Sequence, residues 1–243
     1  MEKNINTMPA RKNSNTKFVR VSVEDGYYNF GSGGIILHTL NDFDFAIIKK
    51  EIEFIKSNFK DANDARQYLI GHLEKTFDVE KCKPVIERLV LSIVNEHNSY
   101  INLYEKSLAV LSDQDIENKE LKLENCWVNF QQKHEFQPIH DHTGVFSFII
   151  FYQIPFYFGE ELKKSPGKEA REKLSGMLNF HYVDYTGDIS SMAIPADKNW
   201  EKRIIVFPAK LKHSVYPFFS SDDYRITISG SLNLRDKGEK NGS

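Results

Sequence analysis

The stretch Pro138-Ile139-His140-Asp141-His142-Thr143-Gly144 places two histidines one residue apart. Side chains alternate between the two faces of a β-strand, so on an extended strand His140 and His142 share one face and Asp141 points away from it. A histidine from a distant strand can then complete a three-point site for one metal ion. The spacing therefore predicts a metal site at a place where strands from separate parts of the chain meet.

His213 is the predicted third member of this site. It follows the apolar, strand-like run 204–207 and the turn-forming Pro208. A histidine at the end of a strand can reach into the mouth of a barrel. Imidazole binds iron, copper, nickel and zinc, so the three histidines do not by themselves identify the metal.

Arg225 and Thr227 lie two residues apart in the run Tyr224-Arg225-Ile226-Thr227-Ile228-Ser229, so they share one face of a predicted strand. A guanidinium fork beside a hydroxyl group is suited to bind a small-molecule carboxylate. If this strand runs antiparallel to the strand that ends near His213, the carboxylate would lie inside the barrel, a short dicarboxylate's length from the metal.

The sequence pattern changes near residue 120. Between residues 42 and 111, apolar residues recur at spacings of three and four, which is typical of amphipathic helices. From residue 121 onward, short or alternating runs rich in β-branched and aromatic residues predict strands. The polar segments 160–173 and 186–202 are predicted loops, and the segment 27–34 is a predicted turn of a hairpin.

Composition limits the classes of partner. The 243 residues carry a formal net charge of −2, and the pI is near 6.5, so nothing in the overall charge favours nucleic acid or an anionic membrane. Cys82 and Cys126 form no CxxC pair, which argues against a disulfide framework and a thiolate zinc site. The polar N-terminus lacks an apolar signal core, so we expect a cytoplasmic setting. The sequence does not indicate which substrate is bound, whether a small molecule or a protein. It does not indicate an oligomeric state either.

Several segments together resemble the 2-oxoglutarate- and Fe(II)-dependent oxygenases: Trp127-Val128-Asn129-Phe130-Gln131, the stretch that contains His140 and His142, the segment from Phe207-Pro208 to His213, and Arg225-Ile226-Thr227. In that superfamily a His-x-Asp or His-x-Glu pair is followed by a distal histidine and then by Arg-x-Ser or Arg-x-Thr. The resemblance covers about residues 123–234 and looks closest to oxygenases carried by tailed marine cyanophages. It implies Fe(II) and 2-oxoglutarate as cofactors, with His140 and His213 as metal ligands, Arg225 and Thr227 on the distal carboxylate of 2-oxoglutarate, and Tyr152 as an additional hydrogen-bond donor to it.

The sequence departs from the superfamily pattern at one position. His142 stands where the superfamily usually has a carboxylate. Either His142 is the third ligand, or a strand irregularity turns Asp141 inward; we favour His142, because strand alternation requires no bulge. A neutral imidazole in this place leaves the Fe(II) centre more positive by one charge unit than a carboxylate would.

We therefore expect a mainly β fold with α-helices. A double-stranded β-helix (jelly-roll) core is predicted over residues 120–235, with a helical portion over 1–119 that packs on one sheet and a disordered tail over 236–243. The expected activity is Fe(II)- and 2-oxoglutarate-dependent oxidation, most simply hydroxylation. Two alternatives stay open: a cupin-type metalloprotein that does not use 2-oxoglutarate, and a phage-encoded binding or structural module that keeps the fold with a vestigial site.

Overall fold

The computed structural model describes residues 16–18, 24–30, 33–101 and 119–238. The described chain forms twelve strands: β1 (Thr16–Phe18), β2 (Gly26–Phe30), β3 (Gly33–Thr39), β4 (Thr76–Asp78), β5 (Lys119–Gln131), β6 (Gln137–His140), β7 (Phe146–Gln153), β8 (Leu178–Val183), β9 (Ile189–Ile194), β10 (Arg203–Pro208), β11 (Lys212–Val215) and β12 (Arg225–Asp236). Its α-helices are α1 (Asp42–Ser57), α2 (Lys83–Ile101) and α3 (Phe158–Lys164), and short 3-10 helices cover Arg66–Tyr68 and Lys198–Trp200. The predicted disordered tail lies mostly outside the described residues, although Asp236 still belongs to β12.

The strands form two sheets that pack face to face. The smaller sheet has the order β1-β9-β8-β11-β6, and the larger has the order β2-β3-β10-β7-β12-β5-β4. Apart from the parallel pair β1 and β9, neighbouring strands in the described chain are antiparallel. This mainly β architecture with three helices among the described residues agrees with the predicted jelly-roll core.

Strand β7 shows how the larger sheet is covered on both sides. Its apolar run is buried throughout, as expected for a strand packed on both faces. Phe148 and Ile150 point to the layer of helices, whereas Ile149 and Phe151 point to the smaller sheet. The larger sheet therefore separates a helix-to-sheet core from a sheet-to-sheet core, and residues of the second core also line an internal cavity.

Helices α1 and α2 pack on the outer face of the larger sheet. Helix α1 begins after Asn41, whose side-chain oxygen accepts a hydrogen bond from the main-chain N–H of Asp44 at 2.8 Å. Its apolar face, including Ile48 and Ile52, is fully buried against the sheet. None of the described helices has both the length and the apolar content needed to cross a bilayer.

The structure corrects three expectations about secondary structure. The portion before residue 119 is not purely helical. Strands β2 and β3 pair as the predicted hairpin, although most of the predicted turn 27–34 belongs to these strands; they extend the larger sheet beside β10, and β4 extends it beside β5. Burial of Tyr28 and Phe30 between the sheets stabilises this hairpin. The segment 160–173, predicted as a loop, contains most of α3, which the fully buried Glu161 anchors. The segment 186–202, also predicted as a loop, contains β9, whose apolar side chains enter the core between the sheets.

Candidate metal and carboxylate site

The three predicted histidines meet in the structure. His140 ends β6 and lies opposite His213 of β11 in antiparallel register, so their ring centroids are 4.2 Å apart. His142 lies just beyond β6, where its main-chain N–H donates a hydrogen bond to the carbonyl of Ala209 at 2.9 Å. One ring nitrogen from each histidine lies within 4.8 Å of the others, and the described residues contain no second group of this kind.

Hydrogen bonds to main-chain carbonyls orient two of these rings. Nδ1 of His140 lies 2.7 Å from the carbonyl oxygen of Pro138, and Nδ1 of His213 lies 3.0 Å from that of Leu211. A proton on Nδ1 satisfies each carbonyl and leaves the Nε2 lone pair free for a metal. Nε2 of His142 lies 3.2 Å from Nε2 of His213. Two nitrogens at right angles on one ion, each bonded at about 2.1 Å, would be about 3 Å apart, so this spacing fits a shared ion.

The electrostatic environment keeps the three rings neutral. Burial lowers the pKa of His140, and burial together with the nearby His140 lowers that of His142 to about 4. The pKa of His213 is also far below its usual range, first because of burial and then because of the two other histidines. Neutral imidazole is the form that binds a metal, so the cluster is ready to bind an ion at neutral pH.

Asp141 lies apart from the cluster of ring nitrogens. Its carboxylate forms ion pairs with Lys212 and, at 3.6 Å, with Lys210. The hydrogen bond from Lys212 is the main reason why the pKa of Asp141 is lowered. A carboxylate paired with two lysines is a poor candidate for the third ligand, whereas a ring nitrogen of His142 lies close to those of His140 and His213.

Arg225 lies in a cavity of about 590 Å³ that the three histidines also line. Its guanidinium donates from Nε and Nη2 to Oε1 of Gln131 (3.0 and 2.7 Å), from Nη1 to the carbonyl of Gly176 (2.7 Å) and from Nη2 to that of Tyr216 (3.0 Å). No described carboxylate lies within ion-pair distance of it. Burial lowers the pKa of Arg225 to about 9, against the opposing charge of Glu161, so the side chain is still protonated at neutral pH. The cavity thus contains a buried positive charge that an anion can neutralise.

Thr227 shares the cavity face of β12 with Arg225, as the strand alternation predicts. The strand pairing differs from the arrangement considered from sequence. Strand β12 lies between β5 and β7 in the larger sheet, whereas His213 belongs to β11 in the smaller sheet. Arg225 and the histidines therefore approach each other across the space between two facing sheets, and not along two paired strands.

The structure does not bring Tyr152 into this cavity. Tyr152 lies on the face of β7 that packs against α1, where its hydroxyl donates to the carboxylate of Glu53 at 2.6 Å and its ring stacks on Phe45. Phe151, its neighbour, occupies the cavity face of the strand. The expected hydrogen bond from Tyr152 to a carboxylate in the cavity is therefore wrong, because alternation directs this side chain to the opposite side of the sheet.

Strand β5 contributes cavity residues to which the sequence alone assigned no role in the site. Its cavity-lining positions are Asn125, Trp127, Asn129 and Gln131. The alternate positions Cys126, Val128 and Phe130 enter the helix-to-sheet core. Apolar residues on this strand alternate with amides, and two of the amides, Asn129 and Gln131, are only 4% exposed. Buried amides need hydrogen-bond partners, so this alternation indicates that one face of the strand lies against an internal polar site.

The family comparison concerns the segment that contains all of these site residues. Residues 125–230 match the sequence model of a family described as "Putative 2OG-Fe(II) oxygenase". No curated protein matches this chain.

The solved structures to which the chain is similar are distant from it in sequence. The chain is similar to a prolyl-4-hydroxylase from Pseudomonas putida, with a TM-score of 0.51, 11% identity, and coverage of 84% of this chain and 94% of that one. Matches with lower scores include an oxidoreductase of the 2OG-Fe(II) oxygenase family from Burkholderia pseudomallei (TM-score 0.44, 11% identity, 86% of each chain). Another is AviO1 from Streptomyces viridochromogenes Tue57 (TM-score 0.42, 12% identity, 87% of this chain and 93% of that one).

Proposed function

We propose, on the premise that residues 125–230 form a 2-oxoglutarate- and Fe(II)-dependent oxygenase domain, that His140, His142 and His213 hold the iron and that Arg225 and Thr227 bind 2-oxoglutarate. One observation carries this proposal. Three neutral ring nitrogens converge within 4.8 Å in a cavity that also contains a buried guanidinium without a described carboxylate partner. The proposed catalytic core corresponds to the predicted segment 120–235.

The residues present fit both groups. Three imidazoles add no negative charge, so the charge of a bound Fe(II) ion stays available to attract an anion. We propose hydroxylation as the reaction. With iron and 2-oxoglutarate bound, O2 would be the oxidant: one of its oxygen atoms would enter the substrate as a hydroxyl group, and the other would enter the succinate formed as 2-oxoglutarate loses CO2. The protein orients His140 and His213 through the carbonyls of Pro138 and Leu211, and the site lies between two packed sheets.

Arg225 provides the charge for the distal carboxylate of 2-oxoglutarate. Four of its five N–H groups already donate to neutral oxygens, one from Nε, one from Nη1 and two from Nη2. The remaining N–H on Nη1 and the hydroxyl of Thr227 are the donors left for an incoming carboxylate. Gln131 carries no charge, so a carboxylate, which binds a guanidinium more strongly than an amide does, can displace the Gln131 oxygen from Arg225.

An anaerobic titration tests the proposed function. Fe(II) should bind the purified chain, and added 2-oxoglutarate should produce a metal-to-ligand charge-transfer band in the visible spectrum. His213→Ala should remove metal binding, and Arg225→Met should keep the metal but weaken the band. His181→Ala is the matched control, because the ring nitrogens of His181 on β8 lie within hydrogen-bond distance of the hydroxyls of Ser191 and Ser214, and His181 does not line the cavity.

The alternative functions give different outcomes. Metal binding without a band would favour a cupin-type protein that does not use 2-oxoglutarate, and absence of metal binding would favour a non-catalytic module. The phage origin and the cytoplasmic setting stay predictions from sequence; the organisms named in the structural comparisons are Pseudomonas, Burkholderia and Streptomyces species.

A further inference from the structure

Asp78 places a carboxylate in the same cavity as Arg225. It is the last residue of β4, and it lies opposite Trp127 of β5 in antiparallel register. Both side chains line the cavity. The main-chain N–H of Asp78 donates to the carbonyl of Asn63 at 2.9 Å, but no side chain or main-chain group of the described residues donates to its carboxylate. The proposed oxygenase reaction assigns this carboxylate no task.

The charged neighbours of Asp78 do not neutralise it directly. Lys83 acts on it from α2, but the ammonium of Lys83 donates to the carbonyl of Glu124 at 2.8 Å. Burial, and then the charge of Glu80, raise the pKa of Asp78, while Lys83 opposes this shift. Asp141, which also lines the cavity, is by contrast paired with two lysines. Of the two carboxylates that line the cavity, the half-buried Asp78 is therefore the one without a described cation at ion-pair distance.

The surroundings of Asp78 suit an organic cation on an aliphatic stem. Trp127, opposite Asp78 in the strand register, also lines the cavity with its largely buried indole, and a carboxylate together with an aromatic ring favours ammonium or guanidinium groups. Leu69 and Ile70 line the same cavity and supply apolar surface for the stem. The ring centroid of Trp127 lies 5.4 Å from that of His142, so a ligand held by Asp78 extends close to the proposed iron site.

The two charges of the cavity are separated along β5. Gln131 marks the end occupied by Arg225, and Trp127 marks the end occupied by Asp78. Four residues of extended chain place these ends roughly 13 Å apart. 2-Oxoglutarate is an anion and is attracted to the Arg225 end, so the end that contains Asp78 is left for a second ligand of opposite charge.

We propose that the substrate of this oxygenase carries a protonated amine or guanidinium on an aliphatic stem, as in a lysine or arginine side chain, and that Asp78 and Trp127 bind this group. The inference rests on the proposed function, since it names the class of substrate for the same cavity. The carboxylate binds the cation, the indole shields it from water, and the stem passes towards the three histidines.

Binding of matched probes tests this substrate class. The probes are Nα-acetyl-lysine methylamide, Nα-acetyl-arginine methylamide and the neutral Nα-acetyl-norleucine methylamide, added anaerobically to the full chain with Fe(II) and 2-oxoglutarate. At least one cationic probe should perturb the charge-transfer band and bind about tenfold more tightly than the norleucine probe, which corresponds to about 1.4 kcal/mol. Asp78→Asn should remove this preference, whereas Glu80→Gln, which removes the same charge from an exposed neighbour that does not line the cavity, should keep it.

The possible outcomes separate this inference from the proposed function. Equal binding of cationic and neutral probes to the unmodified chain, or an unchanged preference in Asp78→Asn, would overturn the inference while the band still forms. Absence of the band would overturn the proposed function, and calorimetric titration of the probes would then measure the cation preference independently. If Asp78→Asn does not fold, Trp127→Leu provides the second variant, and it should reduce the preference while keeping an apolar wall.

Discussion

The side-chain oxygen of Gln131 accepts hydrogen bonds from both Nε and Nη2 of Arg225, at 3.0 and 2.7 Å, across the paired strands β5 and β12. The amide nitrogen of Gln131 donates to the carbonyl of Glu135 at 2.6 Å, which fixes the orientation of the amide. This edge of the guanidinium is one that a carboxylate can bind in a bidentate manner. Gln131 therefore competes with any anion that approaches Arg225 from this side.

Gln131→Glu should weaken the binding of 2-oxoglutarate. The new carboxylate would pair with Arg225 and cancel the charge that attracts the co-substrate, so we expect the Kd for 2-oxoglutarate to rise about tenfold or more, or about 1.4 kcal/mol. Iron binding should be retained. Anaerobic titration of the charge-transfer band measures this Kd, and Gln132→Glu, at the adjacent position outside the cavity lining, is the control. An unchanged Kd in Gln131→Glu would exclude Arg225 as the anchor of 2-oxoglutarate.

His142→Ala should abolish stoichiometric iron binding, and Asp141→Ala should largely spare it. The structure places Nε2 of His142 3.2 Å from Nε2 of His213, whereas the carboxylate of Asp141 pairs with Lys212 and Lys210. Metal analysis after anaerobic gel filtration distinguishes the two variants. The reverse result would show that Asp141 turns inward on binding iron and would remove the three-histidine assignment.

Ionisation of Glu51 should make the free energy of unfolding depend on pH in the acidic range. Its buried carboxylate accepts hydrogen bonds from the main-chain N–H groups of Glu80, Lys81 and Cys82, directly before α2 begins. Burial alone would raise the pKa of Glu51, but these hydrogen bonds outweigh it and lower the pKa below its ordinary value of 4.5. The stabilisation is therefore fully present above pH 4.5 and is lost as the pH falls through the lower, folded-state pKa.

Glu51→Gln tests this dependence. At pH 7 the amide should reduce the free energy of unfolding by about 2 kcal/mol, because it replaces a charged acceptor of three N–H groups. The difference from the unmodified chain should shrink as the pH falls below 4.5, where the carboxylate itself becomes protonated. Urea unfolding at a series of pH values measures both quantities, and a difference that stays constant down to the acid limit would contradict this role of Glu51.

Gly230→Ala should destabilise the core of the larger sheet. A Cβ atom at this position would lie 2.4 Å from the carbonyl oxygen of Asn125 and 2.7 Å from the ring of Phe148, and both are fixed by the sheet. We expect a loss of about 1–3 kcal/mol or more in the free energy of unfolding. Gly159→Ala in α3 is the matched control, because its Cβ meets nothing within 4 Å and should stabilise the helix by roughly 0.5–1 kcal/mol. Thermal unfolding compares the two variants, and equal melting temperatures would contradict the predicted clash.

Sequence reasoning anticipated the parts of the site that depend on local spacing. The pair Arg225 and Thr227 shares a face because their separation of two residues fixes this on any strand. The same reasoning predicted that Asp141 points away from His140 and His142. Strand β6 already ends at His140, so strand alternation does not extend to His142; a hydrogen bond from the main-chain N–H of His142 to the carbonyl of Ala209 holds this residue beside the strand instead.

The sequence by itself determined which residues share a face, but the tertiary structure decided which face meets the cavity. Tyr152 and Phe151 are equally compatible with an internal position by alternation, and packing of Tyr152 on Phe45 and Glu53 of α1 sends it to the outer side of the sheet. The pairing of Asp78 with Trp127 joins residues almost fifty positions apart, and no local pattern encodes that register. Alternation is a property of one strand, whereas the choice of face and neighbour depends on burying apolar surface across the whole fold.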